Sequence, residues 1–278
     1  MHAIPVNIEP VSATLEFLQT ASRKPVTYML APPGGHAWET ADYVAQTVSI
    51  RNGRALTEAP ALDVQGFQLC RAASAMRDFD QREEIVRTYY PEMERLARSV
   101  TGASRAIVFD HLVRRRMPGA LSPFGARPGQ RPGPATRVHC DFTPASAQRR
   151  LAIEMQAHAI SHVARFAIVN LWRTTRLPVL DAPLALCDAR TVDPADLVAA
   201  DIVYPDRTGE IFEVLHNLAH AWTYFDTMTF DEVLLFKQYD SAPGAACYTP
   251  HAAFAHPGTP PGTPARESIE IRCLLIFD

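Results

Sequence analysis

Arg137-Val138-His139-Cys140-Asp141-Phe142 is the stretch on which the reading of this chain turns. As a strand it alternates sides, so His139 and Asp141 share one face and Cys140 looks the other way. An imidazole and a carboxylate on one strand face supply two ligands of a facial triad. That set holds non-haem Fe(II) and leaves the opposite positions open for oxygen and substrate. The motif by itself carries little weight. With ten histidines available, a His-x-Asp arises by chance in about every second chain of this size. A third ligand and a cosubstrate anchor are needed.

His251 lies in the strand-like run Tyr248-Thr249-Pro250-His251-Ala252-Ala253-Phe254, ahead of a Pro/Gly loop. With His139 and Asp141 it completes two histidines and one carboxylate; taken alone it reads more simply as a polar residue at a strand end. Two rival pairs, His158 with His162 and His216 with His220, have the i, i+4 spacing that can chelate zinc, the first on a long helix. Neither contains the glutamate of a His-Glu-x-x-His protease, and both read more simply as helix or loop histidines.

An anchor candidate follows His251 at the start of the final strand. Arg266 and Ser268 share a face, and a guanidinium can clamp a carboxylate bidentately while the hydroxyl adds one bond. Many 2-oxoglutarate oxygenases hold the distal carboxylate of the cosubstrate in this way. Arg272 has the same parity but lies about 20 Å further along an extended strand, so only one of the two arginines can serve. On that strand Ile269, Ile271, Cys273, Leu275 and Phe277 make an apolar face, against Arg266, Ser268, Glu270 and Arg272 on the other. This fits a barrel wall whose mouth holds a charged ligand.

Residues 1 to about 25 read as an irregular or helical lead-in. Strands are expected at 25–30, 47–50, 67–70 and 105–110. Asp80 reads as the N-cap of a helix with Glu83 in the capping-box position, and Pro91 as the start of a second helix that Gly102 ends. An Arg/Pro/Gly-rich loop spans about 114–134, either solvated or a mobile rim that attracts an anionic substrate. Thr143 and Pro144 launch a long helix with Met155, Ala159, Val163 and Phe166 on one stripe. The second half then alternates strands and turns, at 167–172, 184–187, 221–225, 232–237 and 268–277. Many short strands after a helical start predict a β-sandwich or barrel with helices packed outside. With no repeat and no linker, 1–278 reads as one domain.

The chain can bury a full core. Its net charge of −3 gives no polyelectrolyte signature, which argues against a nucleic-acid partner. No signal peptide or membrane-spanning apolar run is read, so no membrane partner is expected. Five scattered cysteines without a Cys-x-x-Cys spacing argue against a disulfide framework or structural zinc and for a reducing cytoplasm. No Gly-x-Ser-x-Gly, P-loop or Gly-x-Gly-x-x-Gly occurs. Cys140 diverges from His139 and reads as a small core residue.

Several stretches together resemble a known family: Phe67-Gln68-Leu69, Tyr89-Tyr90-Pro91-Glu92, Val108-Phe109-Asp110-His111 and Arg137-Val138-His139-Cys140-Asp141, then Asn170-Leu171-Trp172-Arg173, 183–188, 231–237 and 266–272. The family is that of fungal gibberellin desaturases, the aspirochlorine-pathway hydroxylase/desaturase, the cephamycin methoxylation helper protein and the novofumigatonin endoperoxide-forming oxygenase. The matches run in order over roughly 60–277. The resemblance implies a mainly β fold with flanking helices around a double-stranded β-helix (jelly-roll, cupin-like) core. On that view residues 106–278 form the core and 1–105 a mixed helical lead-in packed on it. It further implies Fe(II)- and 2-oxoglutarate-dependent use of O2 in secondary metabolism, with His139, Asp141 and His251 on iron. Trp172 and Arg173 fall where the family has Trp-Arg-Pro and would contact substrate. Thr174 replaces the proline and puts the local loop shape in doubt.

The leading hypothesis is an oxygenase that hydroxylates or desaturates a small specialised metabolite, with Trp172, Trp222 and Tyr224 as candidate pocket walls, though each reads more simply as ordinary core. A non-catalytic helper acting with a partner enzyme is the alternative, against which an intact triad argues. A zinc hydrolase would need a general base near the metal, and none is identified. The identity of the metabolite and the choice between monomer and homodimer are not legible.

Overall fold

The computed structural model describes residues 9–35, 37–116 and 132–278. Its strands, in chain order, are β1 (Val11–Leu18), β2 (Val26–Tyr28), β3 (Tyr43–Asn52), β4 (Phe67–Arg71), β5 (Arg105–Arg115), β6 (His139–Cys140) and β7 (Arg165–Thr174). There follow β8 (Leu184–Cys187), β9 (Leu197–Val203), β10 (Thr208–Val214), β11 (Trp222–Tyr224), β12 (Glu232–Asp240), β13 (His251–Ala253) and β14 (Glu267–Phe277). One sheet runs β1-β3-β11-β8-β13-β6-β10-β9-β2 and the other β4-β12-β7-β14-β5. The sheets face each other: Phe67, Trp172, Leu234 and Phe236 of the five-stranded sheet meet Leu184, Leu186 and Phe225 on the other side. Mostly antiparallel strands, many of whose neighbours are distant in sequence, folded into two facing sheets, make the expected jelly roll.

Period-2 alternation assigns the faces. Ile269, Ile271, Cys273 and Leu275 of β14 pack outward with Val169, Leu171, Val233 and Leu235 against Ile85, Tyr89, Met93 and Ala97 of a helix. Each such buried aliphatic contributes roughly 1.5–3 kcal/mol. Ser268, Glu270 and Arg272 are left pointing between the sheets, as the sequence pattern predicts.

That helix spans 82–101 and differs from expectation at its start. Gln81 occupies the cap position without a side-chain bond, while Asp80 pairs with Arg115 at 2.6 Å. Pro91 does lie in the first turn of an α-helix, Tyr90–Thr101, as expected, but that helix continues without a break from the preceding one. The turn before it, Ile85–Tyr89, widens to π geometry, with the Tyr90 N–H bonded to the Ile85 carbonyl. The proline, which has no N–H to offer, is thereby absorbed. Gly102 ends the helix at φ 71°.

The other helix, Pro144–Ala157, opens on the predicted Thr143 cap, with Thr143 Oγ1 accepting from Ser146 N at 3.1 Å. It stops earlier than its apolar stripe suggests, because Ala159 takes φ 51° and Phe166 belongs to β7. Ala147 and Leu151 close one end of the barrel against Phe166, Ile168, Leu274 and Ile276.

The lead-in is also corrected. From Val11 to Leu18 it is a strand whose alternate residues Val11, Ala13, Leu15 and Phe17 are buried. It is an edge strand of the nine-stranded sheet, paired with β3, and its Leu15 and Phe17 cluster with Val138, Cys187 and Trp222. Residues before 105 therefore supply strands to both sheets as well as a helix. Of the Arg/Pro/Gly-rich loop, residues 117–131 lie outside the described residues.

Gly66 sits just before β4 at φ 90°, and a Cβ there would overlap the Thr249 hydroxyl. Gly66→Ala combines a disfavoured backbone conformation with a clash behind the strand that carries His251. It is expected to cost about 2 kcal/mol or more in denaturant unfolding.

Candidate functional site

β6 and β13 are neighbours in the nine-stranded sheet, with His139 and His251 directly opposite in register. Their rings lie 4.4 Å apart between centroids. Asp141 follows β6 and brings Oδ1 to 3.6 Å from His139 Nε2. One ligand atom from each of the three lies within 4.8 Å of the others, and among the described residues this is the one such cluster of His, Cys, Asp and Glu. The residues predicted from sequence are thus brought together.

The donor set suits a divalent cation. His139 Nδ1 meets the Arg137 carbonyl at 2.8 Å and His251 Nδ1 the Thr249 carbonyl at 3.1 Å. A carbonyl only accepts, so each Nδ1 carries the proton and each Nε2 keeps its lone pair for a metal. Burial pushes both imidazoles down, His139 to about 4, which keeps them neutral. Burial opposes ionisation of Asp141, but Arg272 beside it, with both histidines, overrides this and holds the carboxyl well below the usual range.

Asp141 is gripped from several sides. Asn170 Nδ2 donates to Oδ2 at 2.7 Å, Arg272 Nε to Oδ2 at 3.1 Å and Arg272 Nη2 to Oδ1 at 3.3 Å. The Asp141 N–H donates to Gln238 Oε1 at 2.6 Å. Arg272 also reaches Asp110 at 3.0 Å and Glu270 at 3.4 Å.

Arg266 is in the opposite condition. It is buried, its Nη1 donates to the Ala182 carbonyl, and its guanidinium lies 5.4 Å from the Trp172 ring centroid. Arg266 Nε and Ser268 Oγ are both buried without a hydrogen-bond partner. Burial, and Arg114 nearby, pull Arg266 down to about 9, the mark of a cation short of a counter-ion. An anion with two acceptor oxygens would satisfy this pair, and the distal carboxylate of 2-oxoglutarate is one.

Arg114, Asn170 and Gln238 have no site role in the sequence reading. Arg114 is buried opposite Ser268 on β5 and donates to the Gly133 carbonyl at 2.8 Å. Asn170 did carry a signal: it is the one polar residue within the apolar run 166–172.

The expected pocket residues separate. Trp172 faces the barrel interior with Val179 and Leu184. Arg173 faces the opposite way, its guanidinium 5.4 Å from the Tyr89 ring and 5.2 Å from Phe230, donating to the Ala72 carbonyl at 2.7 Å. Trp222 and Tyr224 belong to the cluster outside the nine-stranded sheet. The rival histidine pairs do not converge on a metal: His158 caps a helix end beside Glu154, and His220 pairs with Asp196 at 3.0 Å.

A family model described as an oxidoreductase/YMDC permease-like domain matches residues 15–276. The chain is 35% identical over 255 residues to the hydroxylase/desaturase efuI of Hormonema carpetanum, covering 85% of each. It is 34% identical to the alpha-ketoglutarate-dependent dioxygenase phiK of Fungal sp. (strain ATCC 74256), over 78% of this chain and 79% of that protein. The solved structure of the iron and alpha-ketoglutarate-dependent endoperoxidase NvfI superposes with a TM-score of 0.81 at 26% identity, over 97% of this chain and 98% of that one. Among the described residues no helix is long and apolar enough to cross a membrane. With that fold, that buried donor set and those relatives, the chain belongs to the family of Fe(II)- and 2-oxoglutarate-dependent oxygenases that includes the fungal hydroxylase/desaturases.

Proposed function

We propose that this protein oxidises a small specialised metabolite, by hydroxylation or desaturation, at an Fe(II) held by His139, Asp141 and His251. The observation that carries the reading is the convergence of three ligand atoms within 4.8 Å, each imidazole oriented by a carbonyl behind it. Bound iron, with 2-oxoglutarate and O2, supplies an oxidant strong enough to take hydrogen from an unactivated carbon. The chain's own residues do the rest. His139, Asp141 and His251 would hold the metal from one side and leave room for cosubstrate and oxygen.

Arg266 and Ser268 hold the distal carboxylate of 2-oxoglutarate, and Trp172 backs the guanidinium and walls the pocket. Arg272 is not the anchor on this reading, since its donors already face Asp141, Asp110 and Glu270. Arg173 does not contact substrate, because it lies on the far side of β7. Residues 1–278 act as one unit, a reading supported by β3 pairing with β11 and β4 with β12.

Conversion of 2-oxoglutarate to succinate, with and without Fe(II), tests the proposal. Iron-dependent succinate formation is expected. A wild-type protein that binds no Fe(II) would sink the oxygenase reading and leave the helper role.

A further inference from the structure

β14 lies between β5 and β7, and Arg272 is in register with Asp110 on one side and Asn170 on the other. Three polar side chains therefore stand in a row across three strands, on the inward face of the sheet. Both Arg272 and Asn170 reach Asp141. We infer that Arg272, assisted by Asn170, is a positioning residue that fixes the Asp141 carboxylate so that Oδ1 alone is offered to the metal. This rests on the proposed role of Asp141 as an iron ligand.

A carboxylate oxygen has two lone-pair sites. Oδ2 has both in use, for Asn170 Nδ2 at 2.7 Å and Arg272 Nε at 3.1 Å. Oδ1 has only the longer contact to Arg272 Nη2, 3.3 Å, and lies 3.6 Å from His139 Nε2, on the side of the histidines. One-oxygen ligation follows, and it keeps a coordination position open that a two-oxygen carboxylate would fill. The backbone is pinned as well, through the Asp141 N–H on Gln238. A guanidinium so near a divalent cation would ordinarily weaken its binding. Here Asp110 at 3.0 Å and Glu270 at 3.4 Å flank it and offset its charge.

Arg272 and Arg266 thus have separable tasks, and a crossed pattern of effects tests the division. Mn(II) binding to the full chain, followed by the electron paramagnetic resonance of free Mn(II), needs neither turnover nor oxygen. Arg272→Met is expected to weaken Mn(II) binding 10- to 100-fold, the usual range for a group that orients a ligand. Arg272→Lys should fall in between, because one ammonium cannot hold two oxygens as the planar fork does. Arg266→Met should leave Mn(II) affinity within about twofold and raise the KM for 2-oxoglutarate.

In the Co(II)-loaded Arg272→Met protein the ligand-field absorption should shift as the freed carboxylate turns, a change that a purely fold-holding arginine would not produce. Wild-type Mn(II) affinity in a folded Arg272→Met protein overturns the inference. If that variant does not fold, wild-type affinity in Arg272→Lys does so. Survival of Mn(II) binding in His139→Ala would instead overturn the ligand assignment. Loss there with retention in both Arg272 variants would remove only the positioning role.

Discussion

His139→Ala is expected to abolish Fe(II)-dependent succinate formation, with a loss on the order of a thousandfold or more, about 4 kcal/mol at 1.36 kcal/mol per tenfold. The size follows from geometry. His139 Nε2 is one of three ligand atoms within 4.8 Å, and alanine leaves two ligands on a centre that needs three to hold iron while keeping a face open. The fold should survive. The His139 side chain bonds to the Arg137 carbonyl, and no core cluster is built on it. Circular dichroism like that of the wild type, with no succinate and no Mn(II) bound, is the expected outcome. Turnover retained in this variant would show that the metal is held elsewhere.

Arg266→Met is expected to raise the KM for 2-oxoglutarate about a hundredfold, near 3 kcal/mol, the range for removing a buried charged partner of a carboxylate. A second readout has the opposite sign. Burial and Arg114 lower the Arg266 guanidinium to about 9 in the fold, well below its ordinary value in the unfolded chain. The unfolded chain therefore binds more protons between these values, and stability contributed by this group rises with pH through that window. At neutral pH the charged form is a cost to the ligand-free protein. Methionine removes it, so the ligand-free melting temperature should hold or rise. The stabilisation conferred by 2-oxoglutarate on the Mn(II)-loaded protein, about 2.7 kcal/mol at a hundredfold excess over Kd, should disappear. A fall in ligand-free stability with an unchanged KM would assign Arg266 to the core instead.

Much of this site was legible because strands have a short period. His139-Cys140-Asp141 and Ile269 to Phe277 declare their faces by alternation alone, and the structure keeps both assignments. What alternation cannot give is the sheet order. That β13 lies beside β6, and β14 between β5 and β7, comes from pairings far apart in sequence. Asn170, Gln238 and Arg114 therefore stayed unassigned although their strands were partly recognised. Trp222 and Tyr224 take the simpler of their two readings, as buried core aromatics packed outside the barrel. Read from sequence, Trp172 and Arg173 form a unit, but a motif names adjacent residues, and on a strand adjacent residues point apart. The helical stripe carried on to Phe166 failed where Ala159 adopts φ 51°, a backbone state that side-chain periodicity does not encode.

The place of β14 has a consequence for how the molecule assembles. β5 and β7 each bond to it and are not neighbours of one another, so β5 has no link to the rest of that sheet until a segment that follows both in the chain slots in. His251, too, precedes β14 only by the Pro/Gly connection. A nascent chain emerging from the ribosome would hold β5, β6 and β7 without the arginine that orients Asp141 or the second histidine. Contacts so distant in sequence make for slow closure. Iron should therefore enter at the end of folding, into a nearly finished barrel, rather than seed it, and refolding rates should be insensitive to added Mn(II) while the final stability is not.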